Sequence, residues 1–207
     1  GVGRRFRRNP AAMDLYVLIP AKDEAGTIAE IVRGCRAHTH NVRVLDGCST
    51  DRTREVAENA GATVYRDEGK GKGAAIRQAR DLLPDEGVVA FIDADGSHDP
   101  AEIPALTAPI QSGAADHVTG SRLLGGSEEL HGTFNECLRL MGSSFITACI
   151  NARYKVHLSD SQNGFRALRI PVFKQLRLRA NSTTIEQEMI MCTLKQGFRM
   201  SEVPAHE

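Results

Sequence analysis

No part of the chain holds the ~18 to 20 consecutive apolar residues that a membrane-spanning helix requires, and no apolar segment follows the N-terminal charges as a secretory signal would need. A soluble segment is therefore expected. Charge of one sign is also missing: 26 Lys and Arg stand against 26 Asp and Glu. Without a global positive field, nucleic acid is not an expected partner, and any basic surface has to be local. The cysteines, Cys35, Cys48, Cys137, Cys149 and Cys192, contain no Cys-x-x-Cys pair, which argues against zinc and redox motifs. Their scatter fits a reducing cytosol in which each thiol is a small buried apolar group. Two phosphate-loop motifs are absent as well. In Gly69-Lys70-Gly71-Lys72-Gly73 no Ser or Thr follows Lys72, and the spacing is not Gly-x-Gly-x-x-Gly, so Walker-type and dinucleotide-binding enzymes lose support.

What is present is a chain of 207 residues, the size of one domain with a substantial core. Short apolar strands alternate with amphipathic helical stretches up to about Arg122, the pattern of an α/β fold with a mostly parallel central sheet and helices on both faces. Strands are expected near Leu15 to Pro20, Val42 to Asp46, Thr63 to Arg66, Val88 to Ile92 and His117 to Gly120. Helices are expected near Glu24 to Ala37, Asp51 to Ala60, Lys72 to Leu83 and Pro100 to Ser112. Beyond Gly125 the reading is a Gly-rich loop, a helix near Phe134 to Ile150, an irregular stretch Asp160 to Phe165, a helix near Thr184 to Gln196 and a last strand Arg199 to Val203. Phe134, Leu138, Met141, Phe145 and Cys149 recur at helical spacing and are expected to form a core stripe.

The most informative run is Val88-Val89-Ala90-Phe91-Ile92-Asp93-Ala94-Asp95, an apolar strand that breaks into two carboxylates one residue apart. Residues i and i+2 of a strand face the same way, so Asp93 and Asp95 are expected to converge at the carboxyl end of the sheet, where open α/β folds place ligands. Hard oxygen donors suit Mg²⁺ or Mn²⁺ shared with substrate phosphates; the competing reading is a plain strand end before a helix cap. Ile19-Pro20-Ala21-Lys22-Asp23-Glu24 and Leu45-Asp46-Gly47-Cys48-Ser49-Thr50 end the first two strands. Their acids either complement helix dipoles or line a nucleotide crevice. The Gly69 to Gly73 loop is either a flexible basic loop or a phosphate cradle of bare amides and ammonium groups. Arg122, Arg139 and Arg166 are either solvated charges or forked donors to phosphates. His98, beside the carboxylates, is a further ligand or a cap neighbour.

Taken in order, Ile19 to Glu24, Asp46 to Asp51, Gly71-Lys72-Gly73, Asp93-Ala94-Asp95, Gly120-Ser121-Arg122, Asp160 to Arg166 and Glu202-Val203-Pro204 resemble family 2 glycosyltransferases, and within them the dolichol-phosphate mannosyltransferase and polyprenyl-phosphate group. The resemblance implies a GT-A fold, a nucleoside-diphosphate sugar donor and a divalent ion, Mg²⁺ or Mn²⁺, held by Asp93 and Asp95. By position, it implies that Pro20, Ala21, Asp23, Glu24, Asp46 and Asp93 bind the nucleotide. Lys72 approaches the donor phosphates, and Arg122 with Lys72 and Asp95 serves catalysis. Arg139 and Ser143 face the acceptor phosphate, while Gln162, Asn163, Gly164 and Phe165, with Glu188, border the sugar or acceptor. The chain departs from the family at Leu45, where a second Asp is common before Asp46, and at Ser97, where polyprenyl-phosphate enzymes often carry Gln.

The implied reaction is inverting transfer of a hexose, from a GDP-mannose or UDP-glucose type donor, to a polyprenyl or dolichyl phosphate. With a lipid phosphate no general base is required; with a hydroxyl acceptor, Asp160 or Glu188 is the candidate base. A soluble family 2 enzyme with a small hydroxyl acceptor and a non-catalytic nucleotide-sugar binder are the alternatives. Residues 1–12, with four Arg, are read as a disordered basic tail or as residues ahead of a native start at Met13, the alternative being an arm on anionic lipid. Residues 13–207 are read as one GT-A domain truncated at its C-terminus, cytoplasmic or at the cytoplasmic face of a membrane with which it associates peripherally.

Overall fold

The structure, a computed structural model, describes residues 13–125 and 145–206. Strand β1 (Leu15–Ala21) sets the pattern of the sheet. Val17 and Ile19 enter one apolar cluster and Leu18 the other, all fully buried. In β4 (Val88–Phe91) Val88 and Ala90 join the first cluster, Val89 and Phe91 the second. A strand apolar on both sides needs helices on both faces, which is the condition for a buried parallel sheet.

The chain supplies them alternately. Helices α1 (Ile28–Arg36), α2 (Thr53–Asn59) and α4 (Ile103–Gln111) pack on the first face, and α3 (Lys72–Gln78) on the second, around β2 (Asn41–Asp46) and β3 (Thr63–Arg66). In α1 the residues Ile28, Ile31, Val32 and Cys35 follow the i, i+3, i+4, i+7 rule and all are buried. Burial pushes the Cys35 thiol up to about 12, as expected of an inert core cysteine. Cys149, in contrast, is exposed.

Strand β5 (His117–Ser121) is followed by the short turn α5 (Arg122–Gly125), by helical residues 145–154 (α6), and by β6 (Arg166–Arg169), α7 (Ile170–Gln175), α8 (Ile185–Lys195) and β7 (Met200–Pro204). The seven strands form one sheet in the order β3-β2-β1-β4-β6-β5-β7. Only β6 runs against the rest, antiparallel to β4 and β5.

All the expected strands form, but α1 begins at Ile28 rather than Glu24, because the amides of residues 23–25 are spent on side chains of residues 49–53. Strand β6 and α7 were not expected. Arg-Ala-Leu-Arg reads as polar, yet Arg166 is 1% exposed and its guanidinium donates to the carbonyls of Glu186 and Asn163. The expected stripe on α6 is also corrected: Phe145 is 71% exposed. The face turned inward is Thr147, bonded to Ser161, and Ile150, packed with Leu158 and Ile190. Phe134, Leu138 and Met141 lie outside the described residues. Among the described residues no helix is long and apolar enough to cross a membrane.

His117 links this core to pH. It is fully buried on β5, its Nδ1 is 2.9 Å from Thr193 Oγ1, and Nε2 has no partner. Burial, aided by the Arg166 charge, holds its pKa well below the ordinary imidazole value. The unfolded chain thus takes up a proton near pH 6.5 that the folded chain refuses, so stability is full above that pH and falls as pH drops below it. Urea unfolding should show stability falling between pH 7.5 and 5, by at most about 2 kcal/mol attributable to this group, and His117→Gln should flatten that part of the profile.

Candidate active site

The site is assembled where the strands end on the carboxyl side. Paired residues Ala21 and Asp46 close β1 and β2 at the same level, and the loops beyond them are laced together. Asp23 donates its N–H to Ser49 Oγ (2.9 Å), Glu24 to Thr53 Oγ1 (2.7 Å) and Ala25 to Asp51 Oδ2 (3.1 Å). Thr50 in turn donates its N–H to Asp23 Oδ1 at 2.7 Å. These bonds hold Asp23 at φ 57°, and the amide of Thr50 keeps its carboxyl below the usual range. Asp23 is therefore a fastener of the crevice wall.

The crevice itself is a cleft of about 230 Å³ lined by Pro20, Ala21 and Glu24, by Gly47, and by Asp67 and Lys72. Three of the residues read from the sequence as nucleoside-binding thus line it. Asp46 lies between lining residues Leu45 and Gly47 but is itself fully buried. Its Oδ1 accepts from the Ser49 amide at 3.2 Å, and its Oδ2, which has no hydrogen bond, faces Arg54 Nε at 3.4 Å. Asp67 was missed; the available signal was an acid at the end of β3 just before Gly69.

The Gly71-Lys72-Gly73 loop is not a cradle of bare amides. The Gly73 amide donates to the Asn181 carbonyl at 3.0 Å. A Cβ on Gly71 or Gly73 would overlap the carbonyl oxygens of Asn181 or Ala180. The glycines are required because α3 starts pressed against the 179–181 backbone. That backbone is held by Glu188, whose carboxylate accepts from the amides of Arg179 (2.9 Å) and Ala180 (2.8 Å), and by Arg77, which donates to the carbonyls of Arg179 and Ala180. Glu188, read from the sequence as an acceptor residue or base, has its carboxylate committed to this scaffold.

With its backbone fixed in this way, Lys72 extends to Asp93. Its Nζ is 2.5 Å from Asp93 Oδ1 and 2.9 Å from Glu186 Oε1. Burial acts to lower the ammonium pKa, but the charges of Asp93 and Glu186 outweigh it and the net shift is upward. Glu186, 2% exposed, was not anticipated. Gly164 closes over the pair: a Cβ there would overlap Asp93 Oδ2 and lie 3.1 Å from Lys72 Nζ.

Asp95 differs from Asp93. Strand β4 ends at Phe91, so the two carboxylates sit on the turn beyond it, and the alternation of the strand does not govern them. Asp95 is exposed and accepts only the local Ser97 amide, at 3.0 Å to Oδ1. His98 is buried, stacks on Phe165 at 5.2 Å and has Nδ1 3.2 Å from the His206 carbonyl, so it acts as packing. Among the described residues no three His, Cys, Asp or Glu side chains form a metal-holding group. The donor set fits a hard divalent ion as a half-site: two carboxylates of the kind that complete their coordination with substrate phosphate and water.

On the far side, Arg122 Nε is 2.7 Å from Asp160 Oδ2. Burial acts to raise the Asp160 pKa, but Arg122 outweighs it and holds the carboxyl below its usual range, which makes it a weak base. Glu202 on β7 fixes this corner by accepting from the amides of Ser159 and Asp160, both at 2.9 Å. Of the stretch expected to border a sugar, Gln162 is exposed, but Asn163 and Phe165 are buried at 2% and 0% exposure. Asn163 Oδ1 caps the Phe165 amide at 2.8 Å. Arg139 and Ser143 lie outside the described residues.

The sequence profile described as glycosyl transferase family 2 matches residues 16–177, a span that contains this cleft, the Gly-Lys-Gly loop and both aspartates. The chain belongs to that family. The chain is 32% identical over 196 residues to glycosyltransferase AglJ of Haloferax volcanii, covering 94% of the chain and 63% of that relative. It thus spans less than two thirds of AglJ. It is 27% identical over 215 residues to a UDP-N-acetylglucosamine–dolichyl-phosphate N-acetylglucosaminyltransferase of Methanococcus voltae, covering 92% and 84%. In structure it is similar to glucosyl-3-phosphoglycerate synthase from Mycobacterium tuberculosis, solved with Mn²⁺, UDP and phosphoglyceric acid. There the TM-score is 0.76 at 20% identity, covering 95% of this chain and 72% of that one. The family 2 glycosyltransferase thus has the GT-A fold.

Gly164→Ala should separate site geometry from folding. The methyl must displace Asp93 or Lys72, so any Mn²⁺-dependent nucleotide binding at this site should fall at least about tenfold while the unfolding midpoint moves little, since the clash is with the ends of two side chains and no backbone. Calorimetric titration beside thermal unfolding checks both.

Proposed function

We propose that this chain is the donor-binding part of a metal-dependent, inverting hexosyltransferase that moves a hexose from a nucleoside-diphosphate sugar to a polyprenyl or dolichyl phosphate. The observation that carries the reading is that Lys72, paired with Asp93, lines the same cleft as Pro20, Ala21, Glu24 and Gly47 of the β1 and β2 loops. A nucleoside would sit against those loops and its diphosphate beside Lys72. Asp93 and Asp95 would hold the divalent ion, which when bound offsets the charge of the departing diphosphate.

In this mechanism Lys72 presents an ammonium, held upright by two carboxylates, to the oxygens that gain charge as the anomeric C–O bond breaks. The bond's electron pair leaves with the nucleoside diphosphate, and an acceptor oxygen forms the new bond from the opposite face of the sugar. A phosphate oxygen is already anionic, so the reaction needs no base. That suits a site in which Asp160 is paired with Arg122 and Glu188 with backbone amides. The Arg122–Asp160 pair would set the position of the acceptor's charge. A lipid acceptor is supported by the dolichyl phosphate in the Methanococcus voltae relative's name and by exposed Leu123, Leu124, Phe145 and Ile146, which flank residues 126–144 in the chain. Apolar groups so exposed beside a site are of the kind that contact lipid or another apolar partner.

Titration of the purified chain with GDP, UDP, GDP-mannose and UDP-glucose, in Mn²⁺ and in EDTA, tests the donor half. One nucleotide should bind with Mn²⁺ and lose at least about tenfold in affinity in Asp95→Ala. Binding to none of them by the folded chain would sink the reading. With the donor identified, radiolabelled transfer should go to dolichyl phosphate in detergent; transfer only to soluble hydroxyl acceptors would replace the lipid reading with that of a soluble family 2 enzyme.

A further inference from the structure

Glu186 enters the mechanism above only as one of the two carboxylates that hold Lys72, a residue that lines the cleft, yet it is far more deeply buried than either Lys72 or Asp93. Its Oε1 is 2.9 Å from Lys72 Nζ, and its side chain is 3% exposed against 22% for Lys72 and 26% for Asp93. Its second oxygen, Oε2, is buried with no hydrogen-bond partner. Its carbonyl accepts from Arg166 Nη1 at 2.8 Å, so the residue is pinned by its backbone and its carboxylate has little freedom to turn elsewhere. A carboxylate this deep is costly unless a cation stays with it.

Asp93 faces a conflict that Asp95 does not. The Asp93 carboxylate that would turn to a divalent ion is held through its Oδ1 by Lys72. If Asp93 were the lysine's only partner, engaging the ion would strand an ammonium in the protein, and the lysine would compete for the carboxylate. We infer that Glu186 is a positioning residue that resolves this competition: it retains Lys72 when Asp93 turns to the divalent ion, leaving Asp93 free for the ion and the ammonium aimed at the diphosphate. The inference rests on the nucleotide-sugar reading of the cleft. A base role for Glu186 is disfavoured by the same geometry, since one oxygen is on Lys72 and the other is buried.

The test compares the wild type, Glu186→Gln, and Glu186→Gln combined with Lys72→Met, using Mn²⁺ alone followed by electron paramagnetic resonance, then UDP and GDP with Mn²⁺ by calorimetry. In Glu186→Gln the lysine grips Asp93 alone, and Mn²⁺ affinity should fall about tenfold, the size of coupling measured for close charge pairs. Removing the lysine as well should restore Mn²⁺ affinity to within about twofold of wild type while diphosphate binding stays weak. A residue that only supported the fold would show no such rescue. Unchanged Mn²⁺ binding in Glu186→Gln, or equal loss in the double variant, overturns the inference. If the single variant does not fold, the double variant, which removes the pair together, decides alone: Mn²⁺ binding below wild type then overturns it. Failure of the wild type to bind either diphosphate would instead remove the nucleotide-sugar reading on which the inference stands.

Discussion

The ammonium of Lys72, partly withdrawn from water between Asp93 and Glu186, is the constraint around which the carboxyl end of this sheet is arranged. A charge withdrawn from water has to be met at close range by opposite charge. Here the partners come from the start of α3, the turn after β4 and the first turn of α8. Seating the start of α3 on the 180–181 backbone and the 160–165 segment against Asp93 and Lys72 leaves no room for side chains there, which accounts for Gly71, Gly73 and Gly164. Each glycine is placed by a contact with a carbonyl or a carboxylate, and in Gly71 the φ of 99° adds a second reason. What reads along the chain as a flexible, phosphate-seeking loop is in space a tightly seated one.

Behind that pair stands a fully buried cation. Arg166 on β6 is fixed to the carbonyls of Glu186 and Asn163 and so couples the antiparallel strand to both walls of the site. Its orphaned Nε and its depressed pKa, caused by burial, mark it as a group held at some cost. The return is geometric. Insertion of β6 between β4 and β5 brings the segment 160–165 over the aspartate turn, where Asp160 meets Arg122 and Gly164 meets Asp93. Glu202 then ties the same segment to β7, so the far edge of the sheet also bears on the site.

What could be read from the chain follows from where the physics is local. β1 and β4 carry continuous apolar runs because both their faces are covered, and a run such as Val88 to Ile92 announces itself. The aspartates after it, the glycine loop and Pro20 were visible for the same reason: each is a local departure from an apolar pattern. β6 was not, because Arg166 and Arg169 disguise a four-residue strand whose buried charge is satisfied only by carbonyls near and far in sequence. Nor was Glu186, which shares its first helical turn with Glu188 and differs from it only in what lies opposite after folding. The reading of Phe145 and Cys149 as core failed on phase. Helical spacing identifies a stripe but not which body it faces, and the contacts of Thr147 and Ile150 decide that.

The two aspartates show how far a spacing argument extends. Alternation along a strand would make Asp93 and Asp95 equivalent, but β4 stops at Phe91 and the turn makes them different in kind. Asp93 is a quarter exposed and already carries a counter-charge; Asp95 is exposed and carries one weak local bond. On the proposed reading, a cation from solvent would meet Asp95 first, at little desolvation cost, and would engage Asp93 only in exchange for its contact with Lys72. That exchange would be favourable only where the lysine keeps a partner, and a diphosphate bound beside Lys72 would supply a further one. Ion and nucleotide would then favour each other's binding through a shared lysine, with no movement of the sheet required.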